Sequence, residues 1–246
     1  RLPNGGRSPG MSQTRTHERN GEAATVRTGR PLDDDGEPVA GPVLDLDPEG
    51  RAAALFRRSS APLVSDPAGR SWATLLERGE PPELLQWLAP DAARPPAHVH
   101  PTTETFTAVE GELTVVVEGE PTRLASGETA TVEPGREHTF RNDTDGVVAF
   151  RAEVPSILMV EGLYTAWGAT HERGGDGEYG GPGALRALLV GADMHDETTM
   201  TAAPVGLQRA LWTTVGRVAR LLGRDGVEKR YLEGSFWRRH VEQPGL

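Results

Sequence analysis

The 246-residue sequence contains no cysteine. Disulfide bonds, thiolate metal ligands and a cysteine nucleophile are therefore excluded, and any bound metal must be held by nitrogen and oxygen atoms. A small secreted scaffold that depends on disulfides is disfavoured, although export as such is not. The 36% of hydrophobic residues stand beside 30 glycines and 20 prolines, so turns are plentiful and the core must be concentrated in part of the chain.

Positive charge is scarce as well. Lys229 is the only lysine among 26 basic residues, and the formal net charge is −10. Such a surface repels phosphate backbones, so we expect no nucleic-acid partner. No run of about 18 apolar residues occurs, so we expect no membrane span. No charged start is followed by an apolar stretch, and we therefore expect no signal peptide and a cytoplasmic location.

The first 42 residues have almost no large apolar side chains and include an acidic run at 33–35. Such a segment buries too little surface to offset the entropy lost on ordering, so we predict a disordered tail over residues 1–42. Met11 is a candidate for the true start. A short helix is expected from Asp47 to Phe56, with Asp47 as its N-cap and Pro48 at its first position.

Between residues 70 and 154 the sequence consists of short β-prone runs separated by turn residues. Several short strands at regular spacing predict an antiparallel sandwich or barrel, and no helix-length period interrupts them as βαβ units would require. The candidate strands are 71–76, 84–88, 97–100, 104–109, 113–118, 129–133, 139–141 and 147–154.

The pattern becomes helical after Pro155. Short helices are predicted at 157–167 and 184–190, separated by a glycine-rich loop at 171–183. The clearest helix opens at Pro204 and ends near Gly223, a candidate C-cap. Its apolar residues fall on one stripe while its arginines face elsewhere; the stripe consists of Leu207, Leu211, Val215, Val218 and Leu222. We divide the chain into the tail 1–42, a β-barrel domain 43–155 and a helical extension 156–246.

The candidate chemistry lies in a His-x-His pair with a glutamate four residues on and a distant third histidine. Side chains of a strand alternate faces, so His98 and His100 point the same way, and Glu104 shares the even spacing. Only a closed antiparallel topology would bring His138 beside them. Three neutral imidazoles and one carboxylate form a first shell for a divalent transition metal.

These motifs resemble the cupin superfamily. Its first motif, G-x5-HxH-x3/4-E-x6-G, is matched from His98 to Gly111, with Ala92 in place of the opening glycine. The second, G-x5-PxG-x2-H-x3-N, is matched with one extra residue after the glycine and Pro-Gly in place of Pro-x-Gly, and it comprises Gly127, Pro134, Gly135, His138 and Asn142. The match covers about a third of the chain.

The resemblance implies a mainly β protein, a jelly-roll barrel followed by a C-terminal helical extension. It also implies that His98, His100, Glu104 and His138 bind one divalent metal, which residue chemistry leaves open among Fe, Mn, Ni, Cu, Co and Zn. Four protein ligands on an octahedral metal would leave two positions for water, substrate or dioxygen, which is why the family hosts dioxygenases, isomerases, decarboxylases and hydrolases. Pairing of such barrels through their sheets makes a homodimer the expected assembly.

Three functions stay open from the sequence. One is a metal-dependent enzyme, dioxygenase- or isomerase-like, acting on a small organic molecule. The second is a non-catalytic module that binds or senses a small ligand. The third is a structural or interaction protein whose C-terminal helices pack on a partner subunit. No catalytic residue is assigned, and the remaining histidines are not expected to be ligands; these are His17, His171, His195 and His240. Candidates to line the barrel are Phe106, Thr114, Val116, Phe140 and Phe150, and Tyr164, Trp167 and the loop 171–183 are candidates to cover its mouth.

Overall fold

The computed structural model describes residues 25–174 and 179–246. Within these ranges strands dominate the first two thirds and helices the rest. The strands are β1 (Val26–Thr28), β2 (Leu44–Leu46), β3 (Val64–Asp66), β4 (Ser71–Glu77), β5 (Glu83–Leu88), β6 (His98–Val99), β7 (Glu104–Glu110), β8 (Leu113–Val117), β9 (Glu120–Leu124), β10 (Thr129–Val132), β11 (His138–Arg141), β12 (Val148–Glu153) and β13 (Thr199–Met200). The helices are α1 (Arg51–Phe56), α2 (Ile157–Arg173), α3 (Ala184–Met194), α4 (Val205–Leu221), α5 (Gly234–His240) and a 3-10 helix, Lys229–Leu232.

Two antiparallel sheets form a jelly-roll barrel. One sheet has the strand order β10-β7-β12-β5-β4-β3 and the other β13-β6-β11-β8-β9, while β1 and β2 make a separate two-stranded ribbon. Strand neighbours that are distant in sequence, such as β12 between β7 and β5, give the barrel its crossed connections. The predicted mainly β jelly-roll barrel with a C-terminal helical region is confirmed.

The alternation of buried and half-exposed residues explains why the central strands form. Along β7, Glu104, Phe106 and Ala108 are buried while Thr105 and Thr107 are half-exposed, so one face lies inside the barrel. All eight candidate strands are present, with bounds shifted by a residue or two. Strand β9 was not predicted, because its first four residues, three polar ones and Pro121, are all exposed and leave no alternation to read.

Residues 25–42 differ from the disorder expected for 1–42. Backbone bonds tie this segment to the C-terminus: Gly29 N donates to Glu242 O over 3.0 Å, and the Arg30 guanidinium binds the Glu242 carboxylate through two bonds of 2.7 Å. The Trp72 indole also donates to Gly29 O over 2.8 Å. The segment is ordered by partners far along the chain rather than by its own apolar content. The part of the expected tail at 1–24 lies outside the described residues.

Helix α1 begins three residues later than predicted. Gly50, not Asp47, precedes its first residue, and Asp47 instead caps a turn, accepting from Glu49 N over 3.0 Å and Gly50 N over 3.1 Å. Aspartate is as well suited to such a turn as to a helix N-cap. The prediction of Asp47 as the N-cap is therefore wrong, although the helix ends at Phe56 as expected.

The helices of the extension are longer than predicted. Helix α2 continues to Arg173, so 171–173 belongs to a helix and not to the expected loop, of which 175–178 lies outside the described residues. The Ser156 side chain caps its start by accepting from Met159 N. Helix α3 likewise extends to Met194.

Helix α4 begins and ends where predicted, and its apolar stripe is exposed to solvent. It begins directly after Pro204, and Gly223, at φ 65°, closes it while Arg224 N donates to Ala219 O over 2.9 Å. Leu207 is nevertheless 65% exposed, and Leu211, Val218 and Leu222 are exposed as well. The buried residues of this helix are instead small or polar, among them Gln208 and Ala219.

The core lies in the barrel and continues under the helices. Its largest fully buried side chains include Trp72, Trp87, Phe106 and Phe150 of the barrel and Trp237 of α5. Trp72 and Trp87 are therefore core residues. In the part of the chain that the structure describes, no helix is both long enough and apolar enough to cross a membrane.

Candidate metal centre

The barrel brings together the four side chains that the sequence singled out. His98 on β6 and His138 on β11 are register partners in one sheet, His100 follows directly after β6, and Glu104 opens β7 in the other sheet. One potential ligand atom from each lies within 4.8 Å of all the others. We call His98, His100, Glu104 and His138 the His/Glu cluster.

The local sequence explains why the cluster can form. Pro101 ends the short β6 strand immediately after His100, since proline has no N–H for a sheet ladder. Gly135, at φ 76°, turns the chain toward β11 and donates its N–H to His100 O over 2.8 Å. A glycine takes this left-handed conformation without strain. The turn before His138 is thereby attached to the strand end that carries His100.

Backbone carbonyls orient all three imidazoles of the cluster. The Nδ1 atoms of His98 and His138 lie 2.7 Å from Pro96 O and 2.9 Å from Arg136 O, and that of His100 lies 2.8 Å from Glu197 O. A carbonyl only accepts, so each Nδ1 carries a hydrogen and each Nε2 is left for another partner. Bonds of this kind fix the tautomer and ring direction of histidine metal ligands.

The Nε2 atoms and the carboxylate fit a cation. His138 Nε2 lies 2.8 Å from Glu104 Oε2. His100 Nε2 lies 3.3 Å from the same oxygen but without hydrogen-bond geometry, and it is a buried nitrogen with no partner in the described structure. Buried polar atoms are nearly always paired. The orphaned nitrogen and the convergent carboxylate show that this donor set suits a divalent metal.

Burial and mutual contact shift the pKa values within the cluster. Burial lowers the pKa of His98 to about 4, which keeps its imidazole neutral. Burial would raise the pKa of Glu104, but the imidazoles of His100 and His138 outweigh it and hold that pKa at about 2, so the carboxylate is ionised. Burial lowers the pKa of His138 and the bond to Glu104 raises it, with a net rise. Neutral imidazole and ionised carboxylate are the forms that bind metals.

A cavity of about 590 Å³ opens beside the cluster and reaches His98 and Glu104. Its walls come from the barrel and from the helical extension: Phe140 belongs to β11, Met159 to α2 and Trp212 to α4. Volumes of this size are typical of sites for small organic molecules. We call it the barrel cavity.

Other residues proposed for the barrel interior or its mouth are placed differently. Phe106 and Phe150 pack on Phe140, with ring centroids 5.4 and 5.2 Å away; only Phe140 of the three reaches the cavity. Tyr164 and Trp167 are buried on α2 and do not line the cavity. The expectation that these two cover the mouth is wrong, because neither lines the cavity and Tyr164 instead packs edge-on against Trp237 of α5, with ring centroids 5.7 Å apart.

The remaining histidines stay outside the cluster wherever the structure describes them. His171 Nε2 lies 3.1 Å from Ser65 O and 3.0 Å from Ser65 Oγ, while His195 and His240 each bond a carbonyl of their own helix through Nδ1. This agrees with their exclusion from the predicted ligand set. His17 lies outside the described residues.

Sequence reasoning missed the contribution of residues 197–200. Glu197 supplies the carbonyl that orients His100, Thr198 and Met200 line the barrel cavity, and Thr199 pairs with Val99 to add strand β13 beside the histidine strand. A backbone carbonyl and a two-residue strand carry no motif in the sequence. The helical extension is therefore part of the site.

The sequence comparison matches this barrel to a family. Residues 84–157 match the profile of Cupin_2, described as a cupin domain. The barrel is a cupin domain. The match covers both motifs, from the strand before His98 to the start of α2. No curated protein matches the chain.

Solved structures that are similar to part of this chain include two cupins and a dioxygenase. A cupin domain of an XRE family transcriptional regulator from Enterobacter cloacae is 24% identical over 29% of this chain and 76% of that chain, with a TM-score of 0.27. A salicylate 1,2-dioxygenase variant from Pseudoaminobacter salicylatoxidans is 30% identical over 29% of this chain but only 21% of its own length, with a TM-score of 0.27. An RmlC-like cupin from Shewanella frigidimarina is 20% identical over 38% of this chain and 83% of that chain, with a TM-score of 0.33.

Proposed function

We propose that this protein is a metal-dependent cupin enzyme that acts on a small organic molecule in the barrel cavity. The His/Glu cluster holds one divalent transition metal, with Nε2 of each histidine and a carboxylate oxygen of Glu104 as ligands. The observation that supports this best is the outer support of the cluster: all three Nδ1 atoms are bonded to carbonyls. Such support serves rings that bind a metal through their other nitrogen.

The residues of the chain limit the chemistry. Among the cavity-lining residues within 25–174 and 179–246, only His98 and Glu104 are ionisable, and both belong to the cluster. No separate side chain there serves as general acid or base. A metal bound by four protein ligands would polarise a substrate oxygen or bind dioxygen at open positions. Reactions of the dioxygenase type therefore fit better than a hydrolysis or a proton-transfer isomerisation, each of which needs its own base.

The chain contributes orientation and exclusion of water. The carbonyls of Pro96, Arg136 and Glu197 fix the directions of the imidazoles, and the apolar walls keep the neighbourhood of the cluster dry. A dry site strengthens every electrostatic interaction within it. Fe, Mn, Ni, Cu, Co and Zn are all compatible with three imidazoles and one carboxylate.

The second candidate is a non-catalytic module that binds or senses a small ligand. The same scarcity of ionisable groups in the cavity favours it, because binding needs only shape and a few polar contacts. In both cases we expect a small-molecule partner rather than nucleic acid, a homodimer and a cytoplasmic location. Light scattering tests the dimer, and a monomer at micromolar concentration would contradict it.

The experiment that tests the proposed function begins with metal content. Protein reconstituted with each of the six metals in turn is analysed by mass spectrometry of the metal, and we expect one ion per chain. The Co²⁺ form then reports coordination through its visible absorption. A five- or six-coordinate spectrum that changes with azide shows an open position and supports catalysis; a closed four-coordinate spectrum that azide leaves unchanged would refute it.

Turnover separates the two candidates. The metal-loaded protein is incubated with a panel of neutral aromatic and enol compounds, with dioxygen uptake and product formation followed by an electrode and by NMR. Product formation that is lost in His100→Ala supports the enzyme. If a panel compound binds but is not converted by the protein loaded with any of the six metals, the binding module is favoured.

A further inference from the structure

The walls of the barrel cavity are overwhelmingly apolar. On the side of the extension they carry three thioethers and an indole beside aliphatic side chains; these residues are Met159, Met194, Met200, Trp212, Val160, Leu163 and Val190. On the barrel side lie Leu84, Phe140 and Val154. Such a surface favours an apolar molecule, and the flexible methionines fit several ring shapes.

One polar group in these walls has no partner. The Thr198 hydroxyl oxygen makes no hydrogen bond within the described structure and is itself covered, although its residue, 8% exposed, lines the cavity; a turn about the Cα–Cβ bond would present the hydroxyl to a bound molecule. An unpaired buried hydroxyl costs free energy that a bound molecule with a matching polar group would recover. Gln86, also 8% exposed, lines the same cavity from β5 and supplies a second polar group.

Charge is the third constraint. No arginine or lysine occurs among the lining residues that the structure describes, of which only His98 and Glu104 of the cluster are ionisable. An anionic group placed anywhere but on the metal would therefore lie in an apolar wall without a counter-ion. Burying an unpaired charge is far more costly than burying a neutral polar group.

We propose that the barrel cavity binds a neutral, largely apolar molecule whose hydrogen-bonding group meets the Thr198 hydroxyl. Thr198 is thus a specificity residue for this molecule. That the molecule is a substrate rests on the proposed function. The cavity and its selectivity are properties of the walls. They are measurable in protein with and without metal.

A pair of fluorescent probes with one ring system tests the charge selectivity. N-phenyl-1-naphthylamine is neutral, and 1-anilinonaphthalene-8-sulfonate adds one negative charge. We expect the neutral probe to bind once per chain and the sulfonate to bind about 100-fold more weakly or not at all. Equal affinity for the two probes would overturn the proposal.

Variants of the cavity wall show where the probe binds. Ala166→Phe fills the cavity from α2 and is expected to lower the affinity of the neutral probe at least about tenfold, and Leu163→Trp provides a second filling variant. Ala184→Phe, on an exposed position of α3 outside the cavity, is the matched control and should bind normally. The exposed stripe of α4 is a competing apolar surface. Loss of binding in Leu207→Gln but not in the filling variants would overturn the proposal.

The role of Thr198 is tested by displacement of the probe with 2-naphthol and with naphthalene. Thr198→Val keeps the shape and removes the hydroxyl. We expect it to weaken 2-naphthol about 3- to 10-fold, as for one lost hydrogen bond, and to leave naphthalene unchanged. Equal effects on both compounds, or on neither, would refute the role of the hydroxyl.

Metal analysis of the same samples separates this inference from the proposed function. A protein that takes up no metal but still prefers the neutral probe would refute the metal enzyme and keep the cavity assignment. One metal per chain together with equal affinity for both probes would refute the cavity assignment and leave the metal enzyme standing.

Discussion

The ring of His100 is joined to the backbone of Glu197, 97 residues later, by a bond of 2.8 Å from Nδ1 to the carbonyl oxygen. This bond gives the helical extension a direct part in the His/Glu cluster. The carbonyl is held in place because the following residues, Thr199 and Met200, pair with Val99 and His98. The extension therefore orients one imidazole and flanks the strand that carries another.

Gln208 on α4 fastens this connection, which leads to the first prediction. Its side chain accepts from Met200 N over 3.2 Å and donates to Met200 O and Ala203 O over 2.5 and 2.6 Å. Gln208→Met removes all three bonds at nearly the same volume. We expect metal affinity to fall about tenfold, as when an outer partner of a ligand is lost. Competition with a chromophoric chelator measures it.

Gln243→Met is the matched control for this variant. Gln243 also makes three bonds to the backbone, with Leu63 N, Leu63 O and Val241 O, and none of these residues belongs to the cluster or lines the barrel cavity. We expect a similar loss of stability and an unchanged metal affinity. Equal metal affinity in the two variants would show that strand β13 does not position His100.

The second prediction concerns the carboxylate of the cluster. Glu104→Gln keeps the shape of the side chain but removes the negative charge that faces His138 at 2.8 Å. We expect metal affinity to fall by about 100-fold or more, since loss of an outer partner alone costs 10- to 100-fold. Glu137→Gln removes one negative charge from the residue next to His138 and should bind metal normally. Full metal occupancy of Glu104→Gln in dilute solution would contradict the ligand assignment.

The cluster and the barrel could be predicted because both follow from short-range periodicity. Even spacing places His98 and His100 on a common side, whereas Glu104 joins them from the other sheet, and the turn glycines mark where strands end. The motif spacing then brought in His138, whose position opposite His98 depends on strand pairing. Local pattern and fold agree here, and the agreement extends to all eight candidate strands.

The parts that escaped prediction depend on partners distant in sequence. Residues 25–42 are ordered by contacts such as that of Arg30 with Glu242, which their own composition does not reveal. The apolar stripe of α4 suggested a buried face, yet Leu207 is 65% exposed while Trp212 of the same helix reaches the cavity. The support of His100 by Glu197 uses a backbone atom that any residue would supply.

The third prediction is a loss of stability in acid that depends on His171. Burial, together with the nearby His240, lowers the pKa of His171 to about 4. Between that value and the usual pKa near 6.5, the unfolded chain binds a proton that the folded chain does not, so stability falls as the pH drops. In His171→Gln the fall between pH 7.5 and pH 5 should be smaller by about 2 kcal/mol.

Urea unfolding in the presence of a chelator measures this difference, because the chelator removes the separate pH dependence of metal binding. Thr170→Val is the control. It removes a buried hydroxyl from the same turn of α2, which donates to Ala166 O over 3.0 Å, but it removes no titratable group. Its stability should be lower at both pH values by the same amount. A pH dependence of His171→Gln equal to that of the unmodified protein would contradict the prediction.

The fourth prediction uses the close approach of α2 to the 3-10 helix. A Cβ atom on Gly168 would lie 2.7 Å from Cγ of Tyr231. That ring is 1% exposed, packs edge-on against Phe236 at 5.0 Å and donates its hydroxyl to Glu172 over 2.8 Å, so it has no room to retreat. Alanine normally stabilises a helix by about 1 kcal/mol relative to glycine, but overpacking costs about 1–3 kcal/mol. We expect Gly168→Ala to lower the free energy of unfolding.

Gly206→Ala in the first turn of α4 isolates the helix preference, because nothing lies within 4 Å of the added Cβ. This variant should be as stable as the unmodified protein or more stable, by up to about 1 kcal/mol. Thermal and urea unfolding of both variants give the comparison. If Gly168→Ala matched the gain of Gly206→Ala, the tight contact between α2 and Tyr231 would be refuted, and with it the packing that holds α2 as a wall of the barrel cavity.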